Sequence, residues 1–381
     1  NRMKNYHLIK RENVPVKTKI LYYVTSIVVA LLLGALILLT FGVNPLAYYG
    51  KMVTIGLPGS RFPQTQVKNF VDMLVPLIIT SVALSIAYRM RFWNVGGEGQ
   101  FLIGAVAAAY IPLRFGVVGT PFLTIILMAL AAMVAAGLWG AIVAVLKVRF
   151  NTNETLLTLM LNYVALYIVA FFGDTKASWN VFLRADTERP KFANIRDTAG
   201  LFPAIQGEEI SKIAIPAIKI GAFSISWALV FALGIGALTY IYLKKTKHGY
   251  EIAVIGDSLG TAKYAGMKTG KIIIRTMFLS SALVGLAGFF KFMSAGSLSS
   301  TFTDSVGWTG VVVAWLAKLD TVGIVITSIL ICVLRFGCGQ ASVQFGTIDS
   351  RFSDVLQGMI LFAVLLADFL LRFKVAKKEE G

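Results

Sequence analysis

Apolar runs close to the thickness of a bilayer recur along this chain, and the first, residues 20–43, carries no charge at all. A hydrocarbon core of about 30 Å takes about 20 helical residues to cross. Inside it every backbone N–H and C=O needs a partner within the protein. Repetition of such runs therefore predicts a polytopic, all-α integral membrane protein. Composition agrees: 14% of residues are charged and mean hydropathy is +0.75, against roughly a quarter charged in soluble domains. The formal charge of +17 would suggest nucleic acid in a soluble protein. In a membrane chain it reads as positive charge retained on the cytoplasmic face, and no nucleic-acid partner is expected.

Lysine and arginine positions set an expected topology. Residues 1–19 form a basic cytoplasmic N-terminus, and residues 20–373 form one membrane domain of about ten spans. The run at 20–43 is too long for a signal peptide and lacks a small-x-small cleavage pattern. The expected spans are 20–43, 70–88, a third ending near 118, 121–146, a fifth ending near 173, 223–243, 272–292, a short 308–317, 322–336 and 355–373. Arg89, Arg91, Lys147, Arg149, Lys244, Lys245 and Lys247 mark returns to the inside. Residues 374–381 are a cytoplasmic tail, so both termini lie inside. Residues 44–69 are an external connection, and 174–222, with mixed charges and prolines, are an ordered external lobe. That lobe is either a solvated cap or a docking surface for an external protein. Residues 294–307 and 337–346 read as polar external breaks. Breaks after the first and third members of spans two to five, and of spans seven to ten, suggest an inverted repeat; chance is the alternative.

The longest polar insertion predicted inside is a loop at 244–271. Its centre reads as a two-turn helix. Asp257 or Ser258 can cap it, Gly266 can stop it in a left-handed conformation, and Leu259, Ala262 and Ala265 recur at a helical interval. So short a helix needs a partner surface. Either the chain itself or another protein could supply it, and residues 258–266 are expected to be covered by the latter. The segment GMKTGK (266–271) is one residue short of a phosphate loop, lacks its Ser/Thr and follows no strand. No nucleophile arrangement, acid–base pair or metal cluster is visible. Cys332 and Cys338 lack metal or redox spacing, and His7 and His248 read as surface residues.

Two further stretches put polar residues beside span ends. FWNVGGEGQ (92–100) holds Asn94, Glu98 and Gln100 among three glycines, and NTNET (151–155) holds Asn153 and Glu154, followed by Asn162 inside the span. A charge at the bilayer centre costs about 2.5–3.5 kcal/mol on insertion scales. Glu98 should therefore lie at the interface, in a polar cavity, or in a solvated loop. Asn153 also fits a plain N-cap.

FWNVGGEGQ, then NETLLTLMLNYVA (153–165), then GYEIAVIGDSLGTAKYAGM running on to SALVGLAG (249–288) together resemble one family over nearly the whole chain. It is the permease subunit of bacterial ABC importers for simple sugars and nucleosides, the branched-chain-type permeases, and the nucleoside-type branch in particular. The resemblance implies a type II ABC-importer-like fold and a subunit without ATPase activity of its own. ATP and Mg then reside on a cytoplasmic ABC ATPase subunit, and this chain binds no cofactor. A second permease subunit, homologous or identical, and an external substrate-binding lipoprotein are further implied partners, in the bacterial plasma membrane. Coupling to the ATPase falls on Gly249, Asp257, Ala262, Tyr264, Ala265 and Gly266. The chain departs from the family at Ala253–Val254, where Arg-Ala is common, and at Ser258–Leu259, where Asn-Pro is common. Asn94, Glu98, Gln100, Asn153, Glu154 and Asn162 occupy the positions of inner-gate loops. Trp93, Tyr163, Phe289, Phe292 and Trp308 are candidates to line a path sized for a nucleoside, or else are packing and interfacial residues. Import of a simple sugar, an ion-coupled secondary transporter and a membrane enzyme are the alternatives; the scarcity of acids within the spans argues against ion coupling, and the absence of a catalytic constellation against an enzyme.

Overall fold

The computed structural model describes residues 6–10, 15–184, 191–195, 215–220, 223–299 and 301–377. Its helices are α1 Val16–Thr40, α2 Pro45–Val53, α3 Pro63–Arg89, α4 Gly97–Phe115, α5 Pro121–Phe150, α6 Glu154–Asp174, α7 Trp227–Lys245, α8 Lys247–Asp257, α9 Leu259–Tyr264, α10 Thr269–Ala295, α11 Val306–Leu316, α12 Thr321–Phe345 and α13 Phe352–Arg372. Several starts follow local chemistry. Asn44 precedes Pro45 and accepts from the Leu46 and Ala47 N–H groups; Thr120 precedes Pro121 and accepts from the Leu123 N–H. Proline at the first helical position loses no bond that the helix could have made.

Each of the ten expected spans corresponds to a helix. Eight among the described residues are long and apolar enough to cross a membrane. The other two are α4 and α11. Helix α4 has the length, but Glu98, Gln100 and Arg114 sit within it. The 11 residues of α11 rise only about 16 Å at 1.5 Å per residue, half of a hydrocarbon core.

The chain divides into two compact units. The larger runs from Val67 to Leu330. Its centre is α3, 83% of whose apolar window is buried against 28% for α5. Beside it α10 packs against both α4 and α5 through small residues. A Cβ placed on Gly104 of α4 would collide with the Gly285 backbone of α10, and one on Gly285 would meet Ala132 and Ala136 of α5. Lipid offers no hydrophobic drive between helices, so close backbone approach over small residues supplies the attraction. The Ser280 hydroxyl of α10 donates to the Ala83 carbonyl of α3 at 2.7 Å.

The smaller unit comprises Asn1–Gln66 and Ile331–Gly381. Its core gathers Leu38, Tyr48, Met52, Cys338, Phe352 and Leu356. Tyr48 stands edge-on to Phe352, with centroids 5.7 Å apart, and both cysteines are buried and form no disulfide. Strand β1 (Tyr6–Lys10) pairs antiparallel with β6 (Phe373–Lys377), from Tyr6 opposite Lys377 to Lys10 opposite Phe373.

Three expectations are corrected. The stretch 337–346 is no break, for α12 continues to Phe345. Gly337 is there because the Met52 backbone presses on it, leaving no room for a Cβ. Residues 44–69, read as plain connection, contain α2. Span six begins at Trp227, since 223–226 form strand β5 (Phe223–Ser226) paired with β4 (Ala217–Ile220). Strands also occur at the expected lobe, where β2 (Leu183–Arg184) pairs with β3 (Lys191–Phe192) and Asn194 bridges to Ser297. The rest of that lobe, 185–190, 196–214 and 221–222, and the tail 378–381 lie outside the described residues.

Gly285→Leu should therefore drive α10 off α4 and α5. Overpacking of this kind typically costs about 1–3 kcal/mol or more. Gly234→Leu in α7, where no atom lies within 4 Å of the new Cβ, is the matched control. The temperature at which the detergent-solubilised protein aggregates should fall for Gly285→Leu and hold for Gly234→Leu; equal behaviour would refute the packing.

Candidate functional site

Helices α8 and α9 form an elbow between α7 and α10. Thr246 caps α8, its hydroxyl accepting from the Gly249 N–H at 3.3 Å. Ser258 ends α8 and caps α9, accepting from the Thr261 N–H at 3.2 Å. Of the two caps expected, Ser258 is the one used, and Asp257 is the last residue of α8. Gly266 leaves α9 at φ +72°, the expected left-handed stop.

The elbow has two unlike faces. Ile252, Ile255 and Ala262 are buried in a cluster with Ile86, Ala87 and Met90 at the end of α3, Val143 and Ala144 of α5, Leu243 of α7, and Ile272 and Met277 of α10. Gly256 abuts the Arg89 carbonyl so closely that a Cβ has no place there, and Gly249 is likewise held against the Leu243 backbone. The expectation that 258–266 is covered only by another protein thus fails for Ala262. A helix of six residues cannot stand alone, and this chain's own core supports it through that methyl group. The other face is bare: Tyr264 is 97% exposed and Leu259 44%, with Asp257, Ala265 and Gly266 also outward. An ion pair fastens the elbow from the side. Glu251 of α8 accepts from the Arg275 guanidinium of α10 at 2.8 Å, and His248 stands 3.3 Å from it. The Arg275 hydrogen bond holds the Glu251 carboxyl below the usual carboxylate range.

The loop before α4 lies against the same cluster, because Phe92 is buried in it. Arg91 turns the chain there at φ +55°. Asn94 and Gln100 face each other through paired side-chain bonds of 3.2 and 3.0 Å, and the Asn94 carbonyl receives the Tyr88 hydroxyl at 2.7 Å. Helix α6 holds the rest. Asn162 accepts from the Gly99 N–H at 2.8 Å and donates to the Val95 carbonyl at 2.9 Å, while the Thr158 hydroxyl accepts from the Val95 N–H at 3.2 Å. Buried polar groups that are paired in this way fix one geometry; unpaired, each would cost about 1–3 kcal/mol. Glu98 is buried rather than solvated, and its carboxylate accepts from the Gly307 N–H of α11 at 2.8 Å. Asn153 is the N-cap of α6, accepting from the Leu156 N–H, and Glu154 pairs with Lys147 at 2.9 Å.

The five aromatic candidates do not converge. Trp93 is half-exposed and stacks on Trp315 of α11, with centroids 5.1 Å apart and planes 11° from parallel. Tyr163 and Trp308 are exposed elsewhere on α6 and α11. Phe289 and Phe292 are buried in the inward face of α10, Phe289 edge-on to Phe290 at 5.2 Å. They present no surface to a passing solute, and are packing residues here. Sequence reading missed Tyr88, Arg89, Thr158, Arg275 and Gly307. Only Arg89 carried a signal, as a charge at the end of a span. Among the described residues no cluster of His, Cys, Asp and Glu could hold a metal.

Asn162→Leu removes the partners of both Gly99 N–H and Val95 C=O, whereas Asn153→Ala removes one exposed cap worth about 1 kcal/mol. Thermal unfolding of the solubilised protein should show the larger loss for Asn162→Leu. Equal shifts would mean that the loop is not held by α6.

Comparison with known proteins fits a transport subunit. The chain is 27% identical to the guanosine ABC transporter permease protein NupP of Bacillus subtilis, over 93% of this chain and 96% of the relative. It is 26% identical to the glucose ABC transporter permease protein TsgB13 of Haloferax volcanii, over 92% and 88%. It is 27% identical to the nucleoside ABC transporter permease protein NupB of Lactococcus lactis, over 84% of each. No solved structure matches. The pattern of one family matches residues 67–365, from the start of the larger unit into α13. This multi-pass membrane protein belongs to that family, the permease component of the branched-chain amino acid transport system.

Proposed function

We propose that this chain is the transmembrane permease of an ATP-driven importer that takes nucleosides from an external binding lipoprotein. One observation carries the coupling role: a preformed elbow whose inner face is buried in the bundle and whose outer face, at Tyr264, is bare. That is the form a lever needs to pass a push from a docked ATPase into the span ends. ATP and Mg belong to that ATPase, and this chain binds neither. A second permease subunit, homologous or identical, completes the pore. The chain sits in a bacterial plasma membrane with both termini cytoplasmic, since residues 1–19 and 372–378 are rich in Lys and Arg. Loops 92–100 and 151–155, bearing Glu98 and Glu154, close the cytoplasmic mouth.

The nucleoside assignment rests on the relatives named for guanosine and for nucleosides, which match most of both chains. The glucose permease of similar identity supports a simple sugar as the second reading. Uptake of labelled guanosine should be lost from cells lacking the gene. Loss of glucose or ribose uptake with guanosine uptake intact would overturn the nucleoside reading and leave the sugar one.

Tyr264→Ala tests docking more cleanly than any change at buried Ala262. The side chain touches almost nothing of its own chain, so stability should hold. An aromatic anchor at the centre of an interface contributes about 2 kcal/mol or more, so co-purification of the ATPase with the permease should drop sharply. Undiminished co-purification and uptake would sink the docking role.

A further inference from the structure

Helix α11 is too short to span and is bounded by unusual backbone. Asp304 and Ser305 before it have φ of +45° and +56°; Lys318 and Leu319 after it have +52° and +61°. Left-handed residues other than glycine are sparsely populated and gather at switch regions. Both joints of α11 are built from pairs of them.

Charged groups from three other helices hold these ends. At the N-terminus the Glu98 carboxylate of α4 accepts from the Gly307 N–H at 2.8 Å. Beyond the C-terminus the Arg89 guanidinium of α3 donates to the Leu319 carbonyl at 2.6 Å. Anion at the N-terminus and cation at the C-terminus match the helix dipole. Lys291 of α10 also pairs with Asp304 at 2.6 Å. Between its ends α11 lies on its neighbours through glycine: Gly307 against Glu98, and Gly310 against Thr80 and Ser81 of α3. The Thr80 methyl group is what meets Gly310, and the Thr80 hydroxyl is buried with no hydrogen-bond partner.

We infer that α11 is a hinged leaf of the gate and that Arg89 is the positioning residue that sets it from the elbow. This rests on the importer reading above. The route is short. Gly256 of the elbow touches the Arg89 backbone, and Ile86, Ala87 and Met90 share the elbow's core. A push on the elbow therefore moves the end of α3, which carries the guanidinium that grips residue 319. The Trp93–Trp315 stack lies across the boundary between the loop before α4 and the leaf, and it opens when α11 swings.

The test uses a Trp93→Cys/Trp315→Cys chain in membranes, with a short bifunctional thiol reagent. Native Cys332 and Cys338 are buried and stay silent. Crosslinking should be rapid in this background. Added Arg89→Gln should slow it several-fold, and Arg89→Lys should restore part of the rate. In the reconstituted complex with its ATPase and binding protein, the crosslink should stop uptake and reduction should restore it. Arg89→Gln should lower guanosine taken up per ATP hydrolysed by about tenfold, as expected when a charge-assisted hydrogen bond is lost. Unchanged crosslinking in Arg89→Gln overturns the clamp, whatever the protein transports. Slowed crosslinking with an unchanged uptake-to-ATP ratio, or full uptake by the crosslinked chain, overturns the gating role and leaves the importer reading standing. A complex of unsubstituted chain that shows no ATP-dependent uptake of guanosine, glucose or ribose overturns the importer reading, and the crosslinking rates alone then decide whether Arg89 positions α11.

Discussion

A helix in hydrocarbon satisfies its own backbone, and a break in a helix does not. This chain breaks before α4 and around α11, and Thr158, Asn162, Glu98 and Arg89 answer backbone groups freed there. Val95 gives its N–H to Thr158 and its carbonyl to Asn162; Gly99 gives its N–H to Asn162. Gly307 gives its N–H to Glu98, and Leu319 receives Arg89. The same bonds that make the breaks tolerable also tie α3, α4, α6 and α11 together. A buried acid, Glu98, and a half-buried base, Arg89, are thereby kept as ends of a scaffold.

Local signals were legible in the sequence and partners were not. Ser258 and Gly266 bracket α9 because a cap hydroxyl and a left-handed glycine act within four residues of themselves. Asn153 reads the same way. Which face of α9 turns inward depends on residues 86–90 and 272–277, far away in sequence, so Ala262 was read as exposed to a partner and is buried. Glu98 was open between loop and cavity because its acceptor role depends on Gly307, more than two hundred residues on. The stretch 337–346 misled for a different reason. Glycine and glutamine at that density usually mark a loop, but here Gly337 serves a backbone contact with Met52 inside an unbroken helix. Phe289 and Phe292 were read by type alone; their position on the inward face of α10 makes them core.

Helix α3 joins these features. It is the most buried of the eight long apolar helices, it ends in the elbow's apolar cluster, and its last two residues reach the loop before α4 and the joint after α11. A rigid helix transmits displacement along its length with little loss, since close-packed interiors compress poorly. On the proposed gating, residues 88 and 89 are where a movement of the elbow divides, one branch passing through the Tyr88 hydroxyl to Asn94 and the other through Arg89 to Leu319.

The elbow itself is ordered before anything docks on it. Nucleating a six-residue helix is unfavourable in isolation, and here the cost is offset by Ala262 in the core, the Ser258 cap and the Glu251–Arg275 pair. A partner then meets a preformed shape and loses less entropy on binding than it would against a flexible loop. The surface around the tip is basic, with Lys244, Lys245, Lys247, Lys263, Lys268 and Lys271 all exposed. Charge of one sign steers an oppositely charged surface toward it and slows wrong partners. On the proposed docking, one set of lysines has two consequences: it sets this end on the cytoplasmic side, and it favours an acidic rim around the pocket that receives Tyr264.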